Sequence, residues 1–125
     1  MDGKKENLIL TKSYAFALEI IQVYKILSEQ KEFILSKQLL RSGTSVGANV
    51  HEAVSSESKK DFVHKLTIAL KEARETAYWL QLLKDSSFIS QQTFDSLHAT
   101  CVSITKILNS IILTTKERYF KSYGL

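Results

Sequence analysis

Apolar residues recur along this chain at alternating intervals of four and three. The first run is Phe16, Ile20, Val23 and Leu27, and the second is Leu39, Gly43, Val46, Val50 and Ala53. The third is Phe62, Leu66, Ala69, Ala73, Thr76, Leu80 and Leu83, and the fourth is Phe94, Leu97, Cys101, Ile104, Leu108, Ile111 and Thr115. A period near 3.5 residues draws one apolar stripe down a helix that packs lengthwise on others. The spacing predicts helices over 13–29, 36–54, 58–85 and 90–120, behind a polar tail at 1–10. Four such stripes with short connections predict an all-α fold. It is expected to be a single domain, an antiparallel up-down-up-down four-helix bundle with left-handed crossing.

The punctuation between the runs supports these bounds. Thr11 or Ser13 can cap the first helix, Ser58-x-x-Asp61 reads as a capping box with the shorter acid, and Ser90 caps the fourth helix. Asp85, Ser86 and Ser87 form the turn before it, and Phe33, Ile34 and Leu35 are expected to tuck under the bundle. Gly43 and Gly47 lie one turn apart on the second helix, among Ser42, Ser45 and Ala48. A glycine inside a helix costs about 0.5–1 kcal/mol relative to alanine, so two of them predict a close approach by another backbone. A phosphate cradle is the competing reading, but no G-x-x-x-x-G-K-[ST] and no preceding strand pattern accompany them.

Other apolar positions fall outside the stripes. Tyr14, Leu18 and Ile21 share a second face of the first helix, and Ile107 and Ile112 widen the stripe of the fourth. A helix apolar on two sides ordinarily has two packing partners, so this face predicts a contact between copies of the chain.

The run QLLRSGTSVGANVHEA followed by SKKDF, continued by HKLTIALKEARETAYWL, resembles the bacterial four-helix-bundle family of 23S rRNA intervening-sequence proteins. The likeness extends from about Phe16 into the third helix. It implies a four-helix bundle assembled into a ring-like homopentamer, with members often encoded inside insertions in ribosomal RNA genes. The accessory proteins of diversity-generating retroelements are similar and work with a reverse transcriptase and nucleic acid. The resemblance brings no catalytic residues and no cofactor.

Composition narrows the function classes. Proline is absent and only four glycines occur, which suits long uninterrupted helices. One cysteine makes no internal disulfide, the N-terminus lacks the apolar core of a signal peptide, and no unbroken apolar run reaches the length of a membrane span. A cytoplasmic protein with no membrane contact is the expectation.

Catalytic and metal constellations are weak. Asp61…His64 and Asp95…His98 each have carboxylate-x-x-His spacing, but both open successive helices. In an antiparallel bundle that puts them at opposite ends, roughly 30 Å apart at 1.5 Å per residue. No shared metal is expected. His98 and Cys101 have the spacing of a thiolate–imidazole pair, yet Cys101 lies on the inner stripe, where a cysteine behaves as a small hydrophobe. The chain reads as non-enzymatic.

Charge supplies the functional candidate. The net charge is +4. One bundle end would gather Lys4, Lys5, Lys12, Lys59, Lys60, Lys65, Lys116, Arg118 and Lys121 against Asp2, Glu6, Glu52, Glu57, Asp61 and Glu117, nine cations against six acids. Tyr119, Phe120 and Tyr123 interleave the last of them. Aromatics among cations suit single-stranded nucleic acid, by stacking and phosphate contacts. Lys59, Lys60, Lys65, Lys116, Arg118, Tyr119 and Lys121 are therefore the candidate RNA- or DNA-binding residues. Tyr14, Leu18 and Ile21 are the candidate oligomer contacts. An oligomeric scaffold for a protein partner is the alternative that the sequence leaves open.

Overall fold

The computed structural model describes residues 3–120. Its elements are four helices, α1 (Gly3–Glu29), α2 (Leu35–Val54), α3 (Lys59–Asp85) and α4 (Gln91–Tyr119), with no strand among the described residues. Each helix touches its neighbours in chain order, and α4 closes on α1. Contacts between α2 and α3 run in opposite order along the two helices. Arg41 meets Glu72 and Glu75, Ser42 meets Thr76, and Glu52 meets Lys65.

The four apolar stripes meet in one core. Phe16, Ile20, Leu27, Leu39, Val46, Leu66, Leu80, Leu83, Ile104, Leu108 and Ile111 are essentially sealed from water. Burying a side chain of that size contributes about 1.5–3 kcal/mol, so the stripes are the main reason these sequences stay helical together.

α1 begins ten residues earlier than its stripe predicts. Ile9 and Ser13 are both buried and extend the four-three alternation backwards from Phe16. Residues 3–10 are therefore helix rather than tail, and neither Thr11 nor Ser13 caps anything. The Ser13 hydroxyl instead donates back to the Leu10 carbonyl at 3.3 Å. The α1–α2 connection also differs from expectation. Phe33 and Ile34 stand exposed, Ile34 by 76%, while Leu35 alone of the three packs against the core. Glu32 governs this turn. Its carboxylate accepts from the backbone N–H groups of Ser36 (2.7 Å), Leu35 (3.1 Å) and Ile34 (3.3 Å), the otherwise orphaned donors that open α2.

The remaining bounds follow the capping residues. The Ser58 side chain accepts from Asp61 N–H at 3.0 Å, and the Ser90 side chain from Thr93 N–H at 3.1 Å. α1 and α3 both run out into a residue in the left-handed region, Lys31 (φ 65°) and Ser87 (φ 66°), which turns the chain sharply.

The small residues of α2 do what their size allows. A Cβ on Gly47 would lie 3.3 Å from the Ser13 carbonyl oxygen, so a backbone does approach there. At Gly43 the neighbour is a side chain: a Cβ would lie 2.8 Å from both γ carbons of Ile20.

Among the described helices, α4 has the length and apolar composition that a membrane span requires. It nevertheless turns Phe94, Leu97, Cys101, Ile104, Leu108, Ile111, Ile112 and Thr115 inward, as one of the four helices of the bundle.

Candidate nucleic-acid interface

Three contacts tie the helix ends that carry the candidate cations. Lys5 Nζ donates to Ser110 Oγ at 2.7 Å, joining the start of α1 to the last third of α4. Lys65 Nζ lies 2.8 Å from Glu52 Oε1, joining the start of α3 to the end of α2. Lys59 Nζ sits 4.8 Å from the centroid of the Tyr119 ring and 5.7 Å from that of Phe62, joining the start of α3 to the end of α4. Eight of the predicted cations and five of the acids at this end fall within the described residues, leaving a surplus of three positive charges. Lys121, with Asp2 and Tyr123, lies outside the described residues.

The candidates are not equivalent. Lys59, Lys60 and Arg118 are exposed, as is Tyr119, and Lys116 is half-buried. Lys65 is engaged: its hydrogen bond to the Glu52 carboxylate, together with that acid's charge, raises its affinity for its proton. Lys65 therefore offers a ligand little free charge. Beside it, Glu52, Ser55, Ser56, Glu57, Ser58, Asp61 and Lys65 line a shallow depression at the α2–α3 turn. This acidic flank was visible in the sequence as separate acids, but its position against the lysines needed the fold.

The residues considered for catalysis lie in ordinary packing. The His98 ring stacks on Phe94 at 5.0 Å, and Lys84 Nζ sits 4.8 Å from the centroid of the same Phe94 ring, at the opposite helix ends from Lys59. The buried Cys101 thiol faces the Ala73 carbonyl at 3.8 Å, and burial pushes it up to about 12, so it stays a thiol at neutral pH. Among the described residues, no three His, Cys, Asp or Glu side chains gather as a metal site would require.

The expected contact face is part exposed and part covered. Tyr14 and Leu18 are 60% and 48% exposed, whereas Ile21 is half-buried. On α4 the expectation shifts. Ile112 is buried and Ile107 packs against the same core, so both serve the chain's own interior. Besides Tyr119, the large apolar residues that α4 shows to water include Val102 and Leu113, which sequence reasoning passed over.

Four long, mutually packed helices around one apolar core define an all-α helical protein whose distinctive surface is a cationic, aromatic end. The family model described as 23S rRNA-intervening sequence protein matches residues 5–110, and the chain belongs to that family. Among solved structures it is similar to a protein of unknown function from the S23 ribosomal protein family of Bacteroides thetaiotaomicron. The two are 50% identical, with a TM-score of 0.85, over 86% of this chain and 97% of that one. No curated protein matches the chain.

Proposed function

We propose that this protein is a non-enzymatic, cytoplasmic homo-oligomer, a pentamer, that associates with RNA or DNA through its basic end repeated around a ring. In this reading each subunit is an antiparallel up-down-up-down bundle with left-handed crossing. The observation that carries it is the Lys59–Tyr119 contact, an ammonium 4.8 Å from the ring of an exposed tyrosine, with Lys60 and Arg118 exposed in the adjoining turns. The family description, which ties its members to sequences intervening in 23S rRNA, supports the same direction.

A surplus of three charges on one subunit binds phosphate weakly. Repetition raises the effective concentration of each further contact, so a ring multiplies a modest patch without any new chemistry. Tyr14 and Leu18 supply apolar surface for such a contact.

The test is the salt dependence of oligonucleotide binding by the intact protein, beside its mass by light scattering. Phosphate recognition gives a log affinity that falls with log salt by about 0.7–0.9 per contact. A multimer with a steep slope is the expected result. A monomer at micromolar concentration, or binding indifferent to salt, overturns the reading. The exposed Tyr14, Leu18, Val102 and Leu113 would then favour a scaffold for a protein partner.

A further inference from the structure

The cationic end carries a detail that charge alone does not require. Tyr119 is the last residue of α4, and the residue is 42% exposed although Lys59 lies against its ring. Phe62, the other ring beneath Lys59, is buried to 8% and belongs to the core. One cation thus bridges a core aromatic and a surface aromatic. The surface ring is held against the start of α3. Lys59 lies over one face of the Tyr119 ring, which leaves the opposite face as the platform for a base, and Lys60 supplies a second exposed cation one residue on.

The positive surface is also bounded. On the α2–α3 side it meets Glu57 and Asp61, and the cation that shares their depression, Lys65, is tied to Glu52 at 2.8 Å. A duplex presents a charge every ≈ 1.7 Å of its axis and approaches as a stiff rod, so it favours a long uninterrupted cationic track. Laid across this end it would bring phosphates towards those carboxylates. A single strand can bend away from them and can present an unpaired base to the ring, which a duplex keeps stacked inside.

From this geometry we infer that the basic end selects single-stranded nucleic acid over duplex, with a base stacked on Tyr119 and the neighbouring phosphates held by Lys59 and Lys60. The inference rests on the nucleic-acid reading above and adds the strandedness and the division of labour between ring and cations.

Fluorescence anisotropy with the full chain tests it. The probes are an unstructured labelled strand of roughly 16 nucleotides and a hairpin duplex with the same number of phosphates. The single strand should bind about tenfold more tightly, as expected where a stacking contact is added to equal charge. Tyr119→Leu should remove that preference and leave the salt slope unchanged, while Tyr119→Phe keeps it. Lys59→Gln should lower the slope by about 0.7 for each subunit contact with the single strand. Circular dichroism of each variant confirms that the helices persist. Duplex bound as tightly as single strand, or a Tyr119→Leu protein with its preference intact, overturns the inference and leaves the nucleic-acid reading standing. Binding to neither probe overturns both.

Discussion

α2 and α4 both lie between two neighbours, but they are held in different ways. α2 is fitted closely on each side. Towards α1 its two glycines admit the Ser13 carbonyl and the Ile20 side chain. Towards α3 the buried hydroxyls of Ser42 and Thr76 lie 2.9 Å apart, one donating to the other, and Arg41 reaches Glu72 at 3.2 Å and Glu75 beside it. The seam between α1 and α4 is the most sparsely packed of the four. It opens into a shallow groove lined by Glu19, Gln22, Gln92, Thr93 and Ser96 over a floor of Val23 and Leu97. The difference shows what sets helix spacing. At Gly47, which has no side chain, the Ser13 backbone comes into close approach, and at Gly43 the Ile20 side chain takes the space. Along α1 and α4, where polar side chains flank the seam, the surface is left open as a groove.

The largest test of that contrast is Gly43→Leu. A Cβ there already lies 2.8 Å from two carbons of the sealed Ile20, so a leucine has no room without separating the helices. Overpacking of this kind should cost about 3 kcal/mol. Ser96→Leu in the α1–α4 groove, where Ser96 is exposed, should shift stability by no more than about 0.5 kcal/mol. Urea midpoints compare the two. Combining Gly43→Leu with Ile20→Ala should cost less than the sum of the single changes, because the leucine enters the space that the isoleucine vacates. Equal midpoints for Gly43→Leu and Ser96→Leu would erase the distinction between the seams.

Much of this was legible in the sequence, and the failures have physical causes. The four-three spacing located all four helices because each buries one narrow stripe, and small residues at stripe positions marked the tight seam. Ser13 concealed the first ten residues of α1, since a buried serine that satisfies itself on the preceding turn interrupts an apolar pattern without interrupting the helix. Phe33 and Ile34 misled in the opposite direction, because apolar side chains at a turn need not find a core. Glu32 escaped notice as a cap because it lies three residues ahead of α2 and acts through a long side chain. At the candidate site the cations could be counted from the sequence. Which of them are free could not, because the Lys65–Glu52 pair and the Lys59–Tyr119 contact depend on how helix ends meet.

A smaller effect is expected within the α2–α3 seam. Thr76 is fully buried, and its hydroxyl lies 2.8 Å from the Glu72 carbonyl as well as 2.9 Å from Ser42 Oγ. Thr76→Val keeps the shape and removes the hydroxyl, leaving Ser42 only a long contact of 3.4 Å to the Leu39 carbonyl. The expected loss is about 1–2 kcal/mol by thermal or urea unfolding. Ser42→Ala combined with Thr76→Val should recover part of it, since no buried hydroxyl is then left without its partner. A double variant as unstable as the sum of its parts would show that the two hydroxyls are not coupled.

On the outer edge of the same seam, Arg41→Ala should matter less. The Arg41 side chain is 50% exposed, so water and salt screen its pairing with Glu72 and Glu75. The cost should be about 0.5–1 kcal/mol at low ionic strength and shrink as salt rises. Trp79, whose indole N–H donates to Glu75 at 2.9 Å, reports the change directly through its fluorescence, as the chain's only tryptophan. A loss that persists undiminished at high salt would assign the role of Arg41 to its aliphatic stem instead.

The smallest effect separates charge from hydrogen bonding at the start of α2. Burial pushes the Glu32 carboxyl up, but the N–H groups of Ser36, Leu35 and Ile34 and the Ser36 side chain together hold it below its ordinary value of 4.5. A carboxylate whose folded affinity for protons is depressed stabilises the fold above its unfolded value and loses that contribution as pH falls through the folded one. Glu32→Gln keeps an acceptor oxygen for these donors and removes the charge. It should therefore cost only about 0.5 kcal/mol near neutrality, the margin by which a charged acceptor exceeds a neutral one at a helix N-terminus. That margin should close below pH 4.5, where the native side chain takes up its proton and becomes, like glutamine, a neutral acceptor. Unfolding of the two proteins across this range measures it. A difference that stays constant with pH would mean that Glu32 holds α2 by geometry alone. The close fit of α2 against α1 and α3 would then begin without help from the charge at its first turn.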